Sequence, residues 1–85
     1  MRIIIVYDIK QERVFRVMKI CREYLHHVQN SVFEGDITDG NFNLLKQSLL
    51  GLVEENDSIL IYKFRNKIYK KEIIGTEKNE TGNII

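Results

Sequence analysis

The sequence predicts an α+β fold in which a strand, a helix, a strand hairpin, a second helix and another strand follow one another. Three observations support this order: an apolar run at residues 2–7, apolar residues at helical spacing from residue 12, and a turn-prone pair inside HHVQNSVFEGDI. With the hairpin counted as two strands, the order is βαββαβ, the ferredoxin-like arrangement. Its right-handed crossovers place both helices on one face of an antiparallel sheet and leave the other face open.

The first strand and the first helix have the clearest patterns. Residues 2–7 are predicted to be a buried strand, because the run is short, β-branched and almost continuously apolar. From residue 12 the period changes, and the apolar residues recur at i, i+3, i+4 and i+7 over four turns. They are Val14, Val17, Met18, Cys21, Tyr24, Leu25 and Val28. Cys21 lies on this stripe, so we expect it to pack in the core.

The second half of the chain continues the alternation. Asn30 and Ser31 predict a tight turn between two short strands. TDGNFNLLKQSLLGLV predicts a second helix with Thr38 or Asp39 as its N-cap. Its apolar face would consist of Phe42, Leu45, Leu49, Leu52 and Val53. ILIYKF and KIYKKEIIG are read as strands, and TEKNETGN is a polar tail that ends in Ile84 and Ile85.

Length and composition indicate one small globular domain over residues 1–85, with a core at about 1–64. A chain of 85 residues buries only about 60–65% of its unfolded surface, so dimerisation is a plausible supplement to its core. No apolar run approaches the roughly 18–20 residues that span a bilayer, so no membrane association is expected. The N-terminus is read as a strand instead of a signal peptide. One cysteine fits a reducing cytoplasm, and cytoplasmic localisation is the expectation.

The net charge of +1 conceals a strong segregation of charge. Residues 10–27 hold five basic and two acidic side chains, a local +3. Residues 63–71 hold five basic side chains and no acid, a local +5, whereas residues 34–57 hold six acids and one lysine, a local −5. Segregated basic residues are compatible with a nucleic-acid partner even when the total charge is close to zero.

Asp8 is the most informative polar residue, because it follows a buried strand directly. A carboxylate at the end of such a strand either caps the next helix or acts as a ligand at the edge of the sheet. The helical pattern begins only at Val14, which makes Asp8 early for a cap, although boundaries read from sequence err by about two to four residues. His26 and His27 are adjacent, and on a helix they would point about 100° apart, which is poor geometry for a zinc site.

Several strings together resemble the CRISPR-associated protein 2 family, the small subunit of the spacer-acquisition machinery. They are VYDI after the hydrophobic start, Arg13 and Arg16 in the following helix, and VQNSVFEG after it. The closing EIIGTEKNETGNII is similar to the tail of one branch of that family. The resemblance extends over essentially the whole chain, and its specificity comes from the order and spacing of the strings.

The resemblance implies a ferredoxin-like homodimer with its two sheets face to face. It implies that a tail at about residues 65–85 extends the partner's sheet. It also implies that Asp8 of each chain meets its counterpart at the dimer axis and holds a divalent metal, Mg²⁺. Metal-dependent cleavage of RNA or DNA and the bridging of a CRISPR-associated integrase are further implications.

Elementary chemistry makes the shared metal site at Asp8 reasonable. One carboxylate is a poor Mg²⁺ site, because the ion requires several oxygen ligands in octahedral geometry. An isologous contact supplies two Asp8 carboxylates from one sequence position. Their mutual repulsion is offset by a cation between them, and such a metal could orient water for phosphodiester hydrolysis. Asp8 is therefore the predicted metal ligand and catalytic residue.

Five other residues are candidates for contact with nucleic acid, each with a structural alternative. Arg13 and Arg16 either contact phosphates, for which the guanidinium fork is suited, or form a solvated basic face. Tyr7 and Phe33 either stack on bases or serve in packing. Ser31 either hydrogen-bonds near the metal or makes a turn.

Two functions remain in competition at this point. The first is a dimeric, Mg²⁺-dependent endonuclease of CRISPR antiviral defence that takes part in spacer acquisition. The second is a non-catalytic architectural dimer that bridges the CRISPR-associated integrase and binds the DNA backbone. Only the enzyme requires Asp8 and a metal for turnover.

Overall fold

Five antiparallel strands form one sheet, and two helices cover one of its faces. The computed structural model describes residues 1–66 and 68–76. The elements are β1 (Arg2–Asp8), α1 (Gln11–Arg22), β2 (His26–Gln29), β3 (Val32–Asp36), α2 (Asp39–Leu50), β4 (Ser58–Arg65) and β5 (Ile68–Gly75). The strand order is β2-β3-β1-β4-β5. The predicted ferredoxin-like fold is confirmed, with β5 as an added edge strand.

The central strand β1 separates the two faces of the sheet. Ile5 lies opposite Phe33 on β3 and Ile61 on β4, and all three are completely buried. Ile4 and Val6 alternate with the buried positions and are only half-buried. Side chains of a strand alternate between faces, so the buried set faces the helices and the half-buried set faces the opposite side.

The core lies between the sheet and the two helices. Val17 and Cys21 of α1 and Leu45 and Leu49 of α2 are completely buried, and the predicted packing of Cys21 is confirmed. Thr38 is the N-cap of α2, since its hydroxyl accepts a hydrogen bond from the Asn41 amide at 3.1 Å. This cap satisfies an amide that the helix itself leaves without a partner.

The prediction that the first helix continues to Val28 is wrong. α1 ends at Arg22, and the Leu25 amide donates to the Cys21 carbonyl at 2.8 Å in a closing turn. Val28 lies on β2 and is 49% exposed. These residues pair with β3 instead, so the tertiary contact overrides the helical periodicity.

The hairpin predicted around Asn30 and Ser31 is confirmed. β2 and β3 are antiparallel, and Asn30 between them has a φ of 42°. Asparagine tolerates this left-handed conformation better than most residues. Because His26 and His27 lie on this strand instead of a helix, they point to opposite faces of the sheet.

The second helix is also shorter than its apolar pattern suggests. α2 ends at Leu50, so Leu52 and Val53 lie in the following loop, where they pack against the core as half-buried side chains.

The strand predicted from KIYKKEIIG is confirmed as β5. It pairs with β4 of the same chain, and the register begins with Ser58 opposite Gly75 and ends with Arg65 opposite Ile68. The part of the tail that the structure describes thus extends the chain's own sheet. Extension of a partner's sheet stays a prediction, and residues 77–85 lie outside the described residues. Within the described part of the chain, no helix is long and apolar enough to cross a membrane.

The face of the sheet opposite the helices, which we call the open face, carries a band of apolar side chains. Ile4, Val6, Val32, Leu60, Tyr62 and Ile73 are half-buried there, and Phe64 and Tyr69 are exposed. The Tyr62, Phe64 and Tyr69 rings form a cluster, with Phe64 and Tyr69 stacked at a centroid distance of 5.8 Å. A contiguous exposed apolar surface of this kind is typical of an interaction site.

Candidate metal centre and nucleic-acid interface

Asp8 is the last residue of β1 and lies at one end of the open face. It is paired in register with Ser58, the first residue of β4. Its side chain is exposed, and the alternation along β1 places it on the same face as Ile4 and Val6. The carboxylate of Asp8 therefore lies at the rim of the apolar band.

The N-cap position of α1 is occupied by Lys10, two residues after Asp8. The side chain of Lys10 makes no cap hydrogen bond. The residue at the N-cap position of this helix is therefore Lys10 and not Asp8.

A buried ion pair between Arg13 and Asp57 lies directly behind this end of the sheet. Arg13 Nε donates to Asp57 Oδ2 at 2.7 Å, and Arg13 Nη2 donates to Asp57 Oδ1 at 3.0 Å. Asp57 also accepts hydrogen bonds from the backbone amides of Lys10 and Glu54, each at 3.0 Å. Four hydrogen bonds thus satisfy a carboxylate that is completely buried.

The ion pair shifts both of its groups toward their charged forms. The hydrogen bond from Arg13 is the largest cause that holds the pKa of Asp57 well below its usual range, and the amides of Glu54 and Lys10 add to it against the opposing effect of burial. The hydrogen bond to Asp57 likewise raises the pKa of Arg13. Glu54 and Glu12, at 3.3 and 3.7 Å from Arg13 Nη1, add further negative charge.

The alternative in which Arg13 forms part of a solvated basic face is wrong. Its side chain is only 9% exposed, and its guanidinium fork is bonded to Asp57. Arg16, one turn later, is exposed together with Lys19 and Arg22. Of the two predicted phosphate contacts, Arg16 has an accessible guanidinium. Contact of either residue with nucleic acid stays a prediction.

Tyr7 and Phe33 are core side chains in this structure and not exposed rings. Tyr7 is 5% exposed and Phe33 is completely buried, and their centroids lie 6.1 Å apart. Both face the helices, because they share the strand parity of Ile3 and Ile5. The packing alternative therefore describes their positions, and stacking on bases would require both to leave the core. Burial also raises the pKa of the Tyr7 hydroxyl.

Ser31 lies in the β2–β3 turn, beside the carboxyl end of β1. Its carbonyl accepts a hydrogen bond from the Tyr7 amide at 3.0 Å. This contact places the turn one residue away from Asp8, so the turn interpretation is correct for the backbone of Ser31. A role of its hydroxyl near a metal stays a prediction.

The basic run at residues 63–71 does not form one patch. Strand alternation places Lys63, Arg65 and Lys70 on the helix side of the sheet and Lys71 on the open face. Lys63 forms an ion pair with Glu72, and Arg65 forms one with Asp39. Lys63 and Arg65 line a groove of about 610 Å³ between α2 and the β4–β5 hairpin. Lys67 lies outside the described residues.

A metal at Asp8 would need further ligands besides this one carboxylate. Within residues 1–66 and 68–76, no group of three or more His, Cys, Asp or Glu side chains could hold a metal ion. A carboxylate oxygen at the rim of a sheet face is chemically suited to Mg²⁺, but the ion requires additional oxygens. A twofold packing of two open faces would supply the second carboxylate, so the residues fit a shared site in a dimer.

Asp57 is the residue of this region that sequence reasoning missed. Asp57 lies in the string ENDS, between the pattern of the second helix and the strand ILIYKF. The available signal was the position of Asp57 directly before a buried strand. Asp8 has the corresponding position at the end of another buried strand. Its partner Arg13 is 44 residues away in the sequence.

The βαββαβ order, with one sheet face left uncovered by residues 1–66 and 68–76, defines a small ferredoxin-like protein. Residues 1–72 match the family model of CRISPR associated protein Cas2. A protein named CRISPR-associated endoribonuclease Cas2, from Thermococcus kodakarensis, is 48% identical over 86 residues, with both chains fully covered. A protein of the same name from Pyrococcus furiosus is 45% identical, again with full coverage of both chains. The chain belongs to the Cas2 family, and the predicted family resemblance is confirmed.

Solved structures agree with this assignment. A crystal structure of Cas2 superposes with a TM-score of 0.76 at 42% identity and covers 92% of this chain and 90% of its own. The structure of Streptococcus pyogenes Cas2 at pH 6.5 gives a TM-score of 0.59 at 25% identity, with 100% and 96% covered.

The buried ion pair predicts a pH-dependent stability. Because the pKa of Asp57 is lower in the folded than in the unfolded chain, its contribution is complete above the ordinary aspartate pKa of about 3.9 and is lost as the pH falls through the folded value. At pH 7 we expect Asp57→Asn to lower the thermal unfolding midpoint by at least about 10 °C, because it leaves a buried arginine without its counter-charge.

The difference in thermal unfolding midpoint between wild type and Asp57→Asn should become smaller as the pH falls from 5 to about 2.5. Circular dichroism melts across that range would measure it, with the exposed neighbour substitution Glu55→Gln as the control. If the difference in unfolding midpoint stayed constant over this pH range, the assignment of the stabilising charge to Asp57 would be contradicted.

Proposed function

We propose that the protein is a homodimeric, divalent-metal-dependent endoribonuclease of CRISPR defence, with Asp8 of both subunits at its catalytic centre. The observation that carries the proposal is the position of Asp8 at the rim of the open apolar face. The names of the relatives from Thermococcus kodakarensis and Pyrococcus furiosus support RNA as the substrate. The single, buried Cys21 supports action in a reducing compartment such as the cytoplasm.

The open face supports the homodimer. Its apolar residues lie on β1, β3, β4 and β5, and no element among the described residues covers them. A second copy of the same face would bury this band in a two-layer packing of sheets about 10 Å apart. Because the contact would be isologous, each residue near the twofold axis would occur there twice.

Asp8 would act through its charge. Its carboxylate and that of the partner's Asp8 would hold a cation such as Mg²⁺ and orient a water for attack on the phosphodiester. The cation supplies electrostatic stabilisation for the charge that develops on the phosphate. The backbone on either side of Asp8 is hydrogen-bonded to neighbouring segments, which restricts the position of the carboxylate.

The exposed cations of α1 would bind the phosphate backbone. Arg16, Lys19 and Arg22 lie on the solvent-facing side of the helix, and a guanidinium is suited to phosphate oxygens. Arg13 would contribute indirectly, since its fork is occupied by Asp57. Backbone contacts of this kind are independent of sequence and weaken with salt.

A second candidate is the architectural dimer that bridges the CRISPR-associated integrase and takes part in spacer acquisition. The exposed cations support it, because basic side chains lie on α1 and on both faces of the β4–β5 hairpin, well beyond the surroundings of Asp8. This function would need the dimer and the basic surface, but it would not need the charge of Asp8.

Asp8→Asn distinguishes the two candidates. Asparagine keeps the size of the side chain but removes the charge that holds a hard cation, so we expect cleavage of single-stranded RNA in Mg²⁺ to fall by at least about 100-fold. RNA affinity should stay within about twofold, since the phosphate contacts are elsewhere. The measurements are single-turnover cleavage and fluorescence anisotropy with protein free of host nucleases.

Asp36→Asn is the matched control. Asp36 is an exposed aspartate at the end of β3, at the opposite end of the sheet from Asp8. The Asp36→Asn variant should cleave RNA at the wild-type rate. Equal rates for wild type and Asp8→Asn would exclude the nuclease centre and favour the architectural dimer.

The dimer is tested by a charge placed within the open face. We expect Val6→Lys to weaken dimerisation by at least about 100-fold, because the ammonium group would have to be desolvated within the apolar band. Sedimentation velocity from 1 to about 100 μM would measure it. Phe15→Lys, at a 75% exposed position on α1, should leave the dimer intact. A wild type that sediments as a monomer throughout this range would contradict the proposed interface.

A further inference from the structure

The backbone on both sides of Asp8 is attached to the same short segment of the chain. Asp8 itself lies opposite Ser58 at the start of β4. Two residues later, the Lys10 amide donates to Asp57 Oδ1 at 3.0 Å. Because residues 57 and 58 are neighbours, this segment restrains the strand end that carries Asp8 and the loop that follows it.

Arg13 fixes the direction of the Asp57 carboxylate that holds Lys10. Its two hydrogen bonds engage both carboxylate oxygens, at 2.7 and 3.0 Å, and the fork therefore sets the plane of the carboxylate. The Glu54 amide holds Oδ2 from another side at 3.0 Å. With every hydrogen bond in place and no exposure to solvent, Asp57 has little freedom to rotate.

We infer that Asp57, oriented by Arg13, is a positioning residue for Asp8. It does not touch the substrate or the metal; it holds the Lys10 amide and thereby the direction in which the β1 strand end presents the Asp8 carboxylate. The inference rests on the proposed function of Asp8. Productive geometry in a catalytic site is confined to about 0.5 Å, and a displacement near 1 Å costs on the order of 100-fold in rate.

The hydrogen bond to Lys10 separates this role from simple stabilisation. The ion pair would stabilise the junction of α1 and β4 without it, because Arg13 and Asp57 already neutralise each other. A positioning role requires the acceptor at Asp57 and not merely a stable fold. A variant that restores stability without restoring the acceptor therefore distinguishes the two roles.

The experiment compares Asp57→Ala with the double variant Arg13→Met, Asp57→Leu. Asp57→Ala removes the acceptor and leaves the buried guanidinium with only the exposed carboxylates of Glu54 and Glu12, so it should be unstable as well as slow. The double variant removes both charges and fills the space with apolar atoms, so it should recover much of the lost stability. Neither variant provides an acceptor for the Lys10 amide.

We expect the double variant to remain slow. Its kcat for RNA cleavage should be about 10- to 100-fold below wild type, with KM within about twofold. Exchange of the Lys10 amide proton, followed by NMR without metal or RNA, should be at least about tenfold faster than in wild type. Glu72→Gln, which removes a carboxylate in the middle of β5 that is paired with Lys46 at 2.9 Å, should change neither kcat nor the exchange rate.

Failure of the positioning role and failure of the proposed function would give different results. If the double variant regains wild-type kcat together with its stability, or if the Lys10 amide stays as protected as in wild type, the positioning role is overturned while the proposed function stands. If the wild type shows no Asp8-dependent cleavage, the proposed function fails, and the inference that depends on it fails as well.

Discussion

The buried ion pair between Arg13 and Asp57 is the contact on which the arrangement at the carboxyl end of β1 depends. It joins α1 to the loop before β4, and through the amides of Lys10 and Glu54 it also fixes the loops on either side. The Thr76 amide donates to the Asp57 carbonyl at 2.7 Å, and this hydrogen bond attaches the end of β5 to the same residue. Burial of two charges is tolerated only with near-complete hydrogen bonding, and the four hydrogen bonds at Asp57 provide it.

The second constraint is that, in the part of the chain that the structure describes, two helices cover only one face of a five-stranded sheet. Alternation along β1 directs Ile3 and Ile5 toward the helices and directs Ile4, Val6 and Asp8 toward the open face. The apolar band then favours a partner, and the same alternation places the carboxylate of Asp8 at the rim where that partner would meet it. One rule of strand geometry thus connects the core of the chain with the proposed shared site.

The sequence predicted the order of elements well, because apolar periodicity records which side chains the core requires. It was less informative where tertiary contacts decide. The helical spacing ran on to Val28, but pairing with β3 makes that residue part of a strand. The sequence around Arg13 does not indicate its burial, since the burial of an arginine depends on a partner that only the fold brings near. For Tyr7, a candidate for either base stacking or packing, the strand parity that it shares with Ile3 and Ile5 favours packing.

Metal stoichiometry tests the central claim, that two chains share one site at Asp8, most directly. Titration of the nuclease-free protein with Mn²⁺ in a calorimeter counts the ions bound per chain. The account predicts one ion for every two chains, and loss of this binding in Asp8→Asn while the protein still sediments as a dimer. Binding of one ion per chain, or equal binding by wild type and Asp8→Asn, would contradict it.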